Sequence, residues 1–205
     1  MKLVAVSQRI EIKLERSETR DVLDQNLIRF LSIAGFLGIP IPNTLVSESL
    51  EGDKPEFQLA QLLKTLNPSA VVLSGGNDIG EYPERDLTET ILLDYAETQK
   101  LPLLGICRGM QMICHREGIS TELIKGHAGT RHILTGEICK EVNSYHDYGI
   151  TICPKNYKIL AVSDDSRIEA ISNNLLPWEG WMWHPERENP FEKTDIRRVK
   201  NLFDS

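Results

Sequence analysis

Two patterns of hydrophobic residues alternate along the chain, and their order predicts an alternation of strands and helices. Short apolar runs are typical of strands buried in a sheet, whereas apolar residues three and four positions apart are typical of helices packed on that sheet. Predicted strands occupy residues 2–7, 36–46, 70–73 and the run bounded by Pro102 and Gly105. Predicted helices occupy residues 21–34, 57–66, 85–98 and the segment that begins near Met110. This order predicts an α/β fold, with a mostly parallel sheet and helices on both faces.

The second half of the chain predicts a small antiparallel β portion. Strands are predicted at residues 133–142, 150–153, 158–162 and 168–171, the last two as a hairpin, and a final helix at residues 194–203. Two stretches are polar. Residues 8–20 form either a loop over a site or a solvated connection. Residues 118–132 form a loop whose His127 and His132 could contact a substrate, although loop histidines are by default expected in solvent. We predict a single doubly wound, flavodoxin-like domain over residues 1–205.

Composition narrows the classes of partner. The net charge of −7 argues against general binding of nucleic acid or anionic membranes. No apolar run approaches the roughly 18 residues of a membrane span. The four cysteines show no metal-binding spacing, and no secretory leader is expected. We therefore expect reduced thiols, a cytoplasmic location and no metal or organic cofactor.

The segment Gly105-Ile106-Cys107-Arg108-Gly109 has the spacing of a nucleophile elbow. A nucleophile on a sharp strand-to-helix turn needs unusual backbone angles and small neighbours, hence the flanking glycines. The N-terminus of the following helix favours a thiolate, and the N–H of Arg108 would be one oxyanion donor. The alternative interpretation is a buried cysteine in a tight turn.

A glycine pair follows the third predicted strand, within Ser74-Gly75-Gly76-Asn77-Asp78. Without a Cβ, its backbone N–H groups can face a ligand at the carboxyl end of the strand. Gly76 N–H is therefore the candidate second oxyanion donor, although an isolated pair of this kind is more often a flexible turn.

A thiol nucleophile needs an imidazole as acid and base, and the imidazole needs an orienting carboxylate. His184 and Glu186 supply both groups two residues apart, after an apolar strand. His146, which follows a predicted strand and precedes an aspartate, is the competing candidate. His115 lies inside the elbow helix and is expected to be structural.

Taken together, three motifs resemble the class I glutamine amidotransferase superfamily. They are the Ser-Gly-Gly-Asn-Asp turn, Gly-Ile-Cys-Arg-Gly-Met-Gln and Trp-His-Pro-Glu. Residues 142–146, with Arg85, Asp86 and Glu89, resemble more closely its γ-glutamyl hydrolase branch, which includes γ-glutamyl-GABA hydrolases. The resemblance implies a doubly wound fold and a Cys–His–Glu triad that hydrolyses a γ-glutamyl amide through a thioester.

Carried over residue by residue, the resemblance implies Cys107 as nucleophile, His184 as base and Glu186 as its orienting group. The oxyanion hole would consist of the Gly76 and Arg108 N–H groups. Implied contacts to a small-molecule γ-glutamyl substrate are Gly75, Gln111, Asn143, Ser144, Tyr145 and His146.

The chain also departs from this branch. Many γ-glutamyl hydrolases have His-His-Gln where this chain has His146-Asp147-Tyr148, so contacts there are expected to differ. Arg9, with Arg16 and Arg20, is a candidate contact for an anionic, nucleotide-linked leaving group. In this respect the chain resembles the γ-glutamyl-CDP-amidate hydrolases of capsule phosphoramidate biosynthesis, which release glutamate and cytidine diphosphoramidate. The alternative interpretation is that these arginines form a solvated face.

Three other hypotheses remain open at this point. The chain could be a glutaminase subunit that supplies ammonia to a separate synthase, a γ-glutamyl-GABA-type hydrolase, or a scaffold that has lost the chemistry. The sequence also leaves open whether the protein forms a homo-oligomer.

Overall fold

The computed structural model describes residues 1–46 and 56–205. In these two ranges the strands are β1 (Lys2–Ser7), β2 (Arg9–Lys13), β3 (Glu18–Val22), β4 (Phe36–Ile41), β5 (Ala70–Leu73), β6 (Leu103–Ile106), β7 (Glu122–Leu123), β8 (Ala128–Ile133), β9 (Thr135–Gly136), β10 (Glu141–Tyr145), β11 (Tyr148–Gly149), β12 (Tyr157–Val162), β13 (Ile168–Asn173) and β14 (Trp178–Trp181). The α-helices are α1 (Gln25–Ile33), α2 (Glu56–Leu66), α3 (Pro83–Gln99), α4 (Arg108–Arg116) and α5 (Lys193–Phe203).

The central sheet has the strand order β4-β1-β5-β6-β14-β13-β12-β9. Strands β4, β1, β5, β6 and β14 are parallel to one another. The remaining three strands continue the sheet in antiparallel fashion. The predicted α/β class and doubly wound sheet with an added antiparallel portion are therefore confirmed.

Apolar residues of the central strands alternate between two cores, one on each face of the sheet. In β1, Val4 and Val6 pack with helices α1 and α5. The intervening Ala5 points to the other face, where α2, α3 and α4 pack. This period of two buries both faces, as expected for parallel strands covered by helices.

The strands β5, β6 and β14 are neighbours, and their carboxyl ends lie at the same edge. Leu73 pairs with Gly105, and Trp181 pairs with Ile106. The three segments that follow these strands are the glycine-rich turn, Cys107 and the chain leading to His184. The sheet topology therefore brings together motifs that lie far apart in the sequence.

Residues 8–20 are not the predicted loop but most of an antiparallel hairpin, β2–β3. Apolar and charged residues alternate in β2 with the strand period of two, although Ile10 is buried and Ile12, on the same face, is about half exposed. The following helix consequently begins later than predicted, at Gln25, with the side chain of Asp24 accepting a hydrogen bond from the backbone N–H of Asn26.

The β segments between α4 and β12 also differ from the prediction. The run at 133–142 is divided among β8, β9 and β10, because residues 135–136 join the central sheet while β8 and β10 pair separately. At 150–153 there is only a bridge from Ile150 to Ile168. Residues 118–132, expected to be a loop, contain β7 and most of β8.

Within the described residues, no helix is long and apolar enough to cross a membrane.

Candidate active site

Cys107 occupies the sharp turn between β6 and α4, with φ 51° and ψ −106°. Such angles are costly for a residue with a side chain, and they place the thiol at the N-terminus of a helix. A Cβ at Gly105 would lie 2.6 Å from Gly109 C and O, and one at Gly109 would lie 2.2 Å from Leu73 O. Both glycines are therefore required for the elbow to pack against its neighbours.

His184 is held from both sides. Its Nδ1 lies 2.7 Å from Glu186 Oε1. Its backbone N–H donates to Asn143 Oδ1 at 2.9 Å, and its carbonyl accepts from Asn143 Nδ2 at 2.8 Å. Since the ring and carboxylate are both buried, the pair is fixed and shielded from water.

The electrostatics favour a charged thiolate–imidazolium pair. Burial alone would raise the pKa of the Cys107 thiol, but a hydrogen bond with His184 and the positive charge of that ring outweigh burial and lower the pKa. Burial opposes protonation of His184, yet hydrogen bonds with Cys107 and Glu186 raise its pKa to about 9. The other sequence candidate, His146, instead places Nδ1 3.0 Å from the Tyr148 carbonyl and Nε2 3.5 Å from Glu169.

The glycine-rich turn lies directly against this pair. A Cβ at Gly75 would lie 2.6 Å from His184 Cε1, which is closer than real contacts allow. Gly76 has φ +114° and would place a Cβ 2.8 Å from Arg9 Cβ. Gly75 therefore gives the imidazole its space, while Gly76 supplies a backbone conformation that L-residues rarely adopt.

Substituting Gly75 with alanine is expected to lower kcat about 100-fold, because the added methyl group displaces the His184 ring from its position beside the thiol. Steady-state kinetics and thermal unfolding would measure activity and fold separately. The matched control is Gly80→Ala: Gly80 has φ +90° with open space around it, so this variant should lose stability but retain kcat. Unchanged kcat in Gly75→Ala would show that the ring does not need this space.

A buried ion network connects the glycine-rich turn to the elbow. The guanidinium of Arg85 donates to the carbonyls of Ser74 and Gly75 at 2.9 and 3.0 Å. It also pairs with Glu89 at 3.3 Å, and Glu89 in turn pairs with the side chain of Arg108. Burial lowers the pKa of Arg85 to about 10, although Glu89 favours its charged form. The network therefore fixes the two segments that carry the candidate oxyanion donors.

Substituting Glu89 with glutamine is expected to lower the free energy of unfolding by about 3–5 kcal/mol, because two buried guanidinium groups lose their shared carboxylate. Urea unfolding followed by tryptophan fluorescence would measure the change. Glu97→Gln is the control, since Glu97 pairs with Arg116 at the half-exposed surface and should cost less than about 1 kcal/mol. An equally small loss in Glu89→Gln would refute a stabilising role for the network.

A cavity of about 280 Å³ opens beside the thiol. Predicted site residues along its wall are Gly76, Cys107, Arg108, Gln111, Tyr145, His146 and His184. Gln111 donates from Nε2 to the Tyr148 carbonyl at 3.0 Å, so its amide oxygen remains available to a substrate ammonium group.

Four other predicted substrate contacts, Gly75, Asn143, Ser144 and Arg9, do not line this cavity as the structure describes it. Gly75 instead lies against the His184 ring. Asn143 uses its amide on the His184 backbone and on Glu188. The Ser144 hydroxyl donates to the His127 carbonyl. Arg9 pairs with Glu11 at 2.8 Å and packs beside Gly76. Arg20, which was predicted together with Arg9 to contact an anionic leaving group, pairs with Glu18 on the exposed hairpin.

Sequence reasoning missed Arg187, which lines the cavity and places its guanidinium carbon 4.5 Å from the centre of the Tyr145 ring. The available signal was its position immediately after Glu186.

The expectation of solvated histidines in residues 118–132 is also wrong, because His127 and His132 are only 2% and 9% exposed. Their burial depends on β13 and on the segment after β10, which no local pattern reveals.

The fold is an α/β sheet with a cysteine at a strand-to-helix elbow, beside a buried histidine–glutamate pair. This arrangement is typical of enzymes that use a cysteine as covalent nucleophile. The family model described as glutamine amidotransferase class-I matches residues 45–200. The chain belongs to this family.

Individual relatives differ in their described activities. A γ-glutamyl-CDP-amidate hydrolase of Campylobacter jejuni is 35% identical over 133 residues, which cover 62% of this chain and 66% of that protein, just under two thirds. A glutamine-hydrolyzing GMP synthase subunit of Methanocaldococcus jannaschii is 28% identical over 77% of this chain and 79% of its own length. The crystal structure of a glutamine amidotransferase from Thermotoga maritima has a TM-score of 0.65 at 19% identity, covering 99% of this chain and 84% of that one.

Proposed function

We propose that the chain hydrolyses γ-glutamyl amide bonds through a glutamyl thioester. The observation that carries the proposal is a buried thiol on a positive-φ elbow, in the same cavity wall as a histidine that is itself paired with a buried glutamate. That histidine lowers the pKa of the thiol. Membership of the glutamine amidotransferase family supports the same chemistry. Cys107, His184 and Glu186 would be nucleophile, general acid–base and orienting carboxylate.

The reaction would proceed in two halves. The Cys107 thiolate attacks the γ-carbonyl carbon and forms a C–S bond, and the oxyanion accepts hydrogen bonds from the Gly76 and Arg108 N–H groups, each contributing about 10²–10³ in rate. The tetrahedral intermediate collapses as the C–N bond breaks, and the His184 imidazolium gives its proton to the leaving nitrogen. Water then attacks the thioester, His184 takes a proton from the water, and glutamate leaves with regeneration of the thiolate.

For the leaving group we propose a nucleotide-linked amidate, as in γ-glutamyl-CDP-amidate. The described activity of the Campylobacter jejuni relative supports this choice. So does Arg187 in the cavity wall, because a guanidinium group there matches the charge and geometry of a phosphate.

One experiment tests both the hydrolase reaction and the identity of the leaving group. It measures glutamate release from four compounds: glutamine, γ-glutamyl-GABA, a folate polyglutamate and γ-glutamyl-CDP-amidate. We expect the highest kcat/KM for the nucleotide amidate. Release of glutamate from none of the four would contradict the hydrolase proposal. A preference for γ-glutamyl-GABA would contradict only the leaving group.

Arg187→Gln is expected to raise KM for γ-glutamyl-CDP-amidate about tenfold and to leave kinetics with glutamine unchanged, because only the nucleotide substrate carries phosphates for the guanidinium to bind. The control is Arg20→Gln, which changes an exposed arginine paired with Glu18. Equal effects of Arg187→Gln on both substrates would assign Arg187 to the glutamyl part of the site or to the fold.

A second candidate function is supply of ammonia to a separate synthase. It is favoured by the similarity to a glutamine-hydrolyzing GMP synthase subunit over 77% of this chain. A binding partner that stimulates glutamine hydrolysis would support this function over the first.

A further inference from the structure

A buried cluster of ionisable side chains lies next to the candidate triad without belonging to it. The His127–His146–Glu169 cluster joins the segment before β8, the residue after β10 and strand β13. Its members are only 2%, 4% and 0% exposed. Burying two imidazoles and a carboxylate together is costly, so the cluster requires a specific compensating interaction.

The cluster's polar atoms are not satisfied within the described protein. Neither oxygen of the Glu169 carboxylate has a hydrogen-bond partner of acceptable geometry there, and the same is true of His127 Nδ1 and His146 Nε2. An unsatisfied buried polar atom costs about 1–3 kcal/mol, and more when it is charged. Three of these atoms, one from each residue, lie close enough together to share one ligand.

Two of the three separations between these atoms match those of a tetrahedral metal site. His127 Nδ1 and His146 Nε2 lie 3.4 and 3.5 Å from Glu169 Oε1. All three ligand atoms lie within 4.8 Å of one another. Zinc bonds of about 2.0–2.1 Å at tetrahedral angles separate neighbouring ligand atoms by about 3.3–3.4 Å.

The outer nitrogens of both rings have partners typical of metal-binding histidines. His127 Nε2 lies 3.0 Å from Asp165 Oδ2, and His146 Nδ1 lies 3.0 Å from the Tyr148 carbonyl oxygen. Asp165 is itself fixed by the Ser163 hydroxyl at 2.5 Å. A carboxylate or carbonyl behind each imidazole sets the tautomer that directs the other nitrogen towards a metal.

We propose that His127, His146 and Glu169 bind one divalent transition-metal ion of the zinc type. Neutral imidazoles and a carboxylate are the donors that such ions prefer. The ring of His132 packs against that of His127, with 4.1 Å between the ring centres. His146 also lines the cavity, and Glu169 lies in β13. The ion would therefore link a residue of the candidate active site to β13.

The test is metal analysis of the full chain. The protein is stripped with a chelator, dialysed against ZnCl2, desalted and analysed for bound zinc. We expect one zinc per chain in the wild type and in Cys107→Ser, the latter because the triad's own thiol is not a ligand. Glu169→Gln and His127→Gln should lose at least nine tenths of the zinc, whereas His115→Gln, a change of an exposed histidine, should retain it. Chelation should lower the Tm of the wild type by several degrees.

Three results decide the proposal without any cluster variant, should those variants fail to fold. Wild-type protein loaded with Co²⁺ should show d–d absorption of a tetrahedral site without a thiolate-to-metal charge-transfer band. A thiolate band, zinc that is lost in Cys107→Ser, or less than about one tenth of a zinc per wild-type chain would each overturn the proposal. The last result would leave the three side chains as a buried cluster without a metal.

Discussion

Cys107→Ser is expected to reduce turnover of every γ-glutamyl substrate by at least about 10⁴-fold while the fold stays intact. The serine hydroxyl is a much weaker nucleophile than a thiolate, and the structure favours the thiolate through His184 and the Arg108 N–H. Losses of this size are typical when a covalent nucleophile is removed but the oxyanion donors and substrate contacts remain. Glutamate release gives the activity, and thermal unfolding gives the integrity of the fold.

The matched control is Cys139→Ser, because Cys139 is exposed and belongs to a different cavity, near β9 and α5. This variant should retain wild-type kcat. Intact-mass measurement on the wild type during turnover should show a glutamyl adduct that disappears in Cys107→Ser. Near-normal activity in Cys107→Ser would remove this thiol from the mechanism and with it the proposed function.

Those parts of the fold that are encoded locally could be predicted from the sequence. Strands β1 and β5 begin and end where their apolar runs predict, because both faces of these strands are buried. The glycines around Cys107 similarly predicted a strained turn, and in the structure Cys107 has a φ of 51°. Short motifs carry this information because the steric requirement is met by adjacent residues.

Features that depend on contacts between distant segments could not be predicted in the same way. The hairpin β2–β3 was mistaken for a loop because only Ile10 of its alternating pattern is deeply buried. The function of Arg85 in holding the glycine-rich turn depends on the approach of α3 to β5. The His127–His146–Glu169 cluster spreads over 43 positions, from 127 to 169, and no short spacing rule covers such a set.

Glu186→Gln is expected to lower kcat by about 10²–10⁴-fold, although the substitution preserves the shape of the side chain. The carboxylate lies 2.7 Å from His184 Nδ1 and helps to raise the pKa of that ring to about 9. An amide has no charge with which to stabilise the imidazolium, so the pKa of His184 should fall towards its ordinary value of about 6.5. The thiolate thereby loses its cationic partner, and the pKa of Cys107 should rise.

Alkylation by iodoacetamide measures this pKa directly, because only the thiolate reacts. In a Cys139→Ser background, we expect the midpoint of the pH–rate profile for Cys107 to be at least about one pH unit higher in Glu186→Gln than in the parent. The fraction of thiolate at a given pH should therefore be smaller in the variant than in the parent. Glu192→Gln is the control, since Glu192 lines the cavity near β9 and α5. The midpoint could stay unchanged while kcat falls strongly. Glu186 would then orient the His184 ring during turnover without maintaining the charged pair. Ring orientation affects proton transfer to the leaving group, whereas it does not affect the resting thiolate.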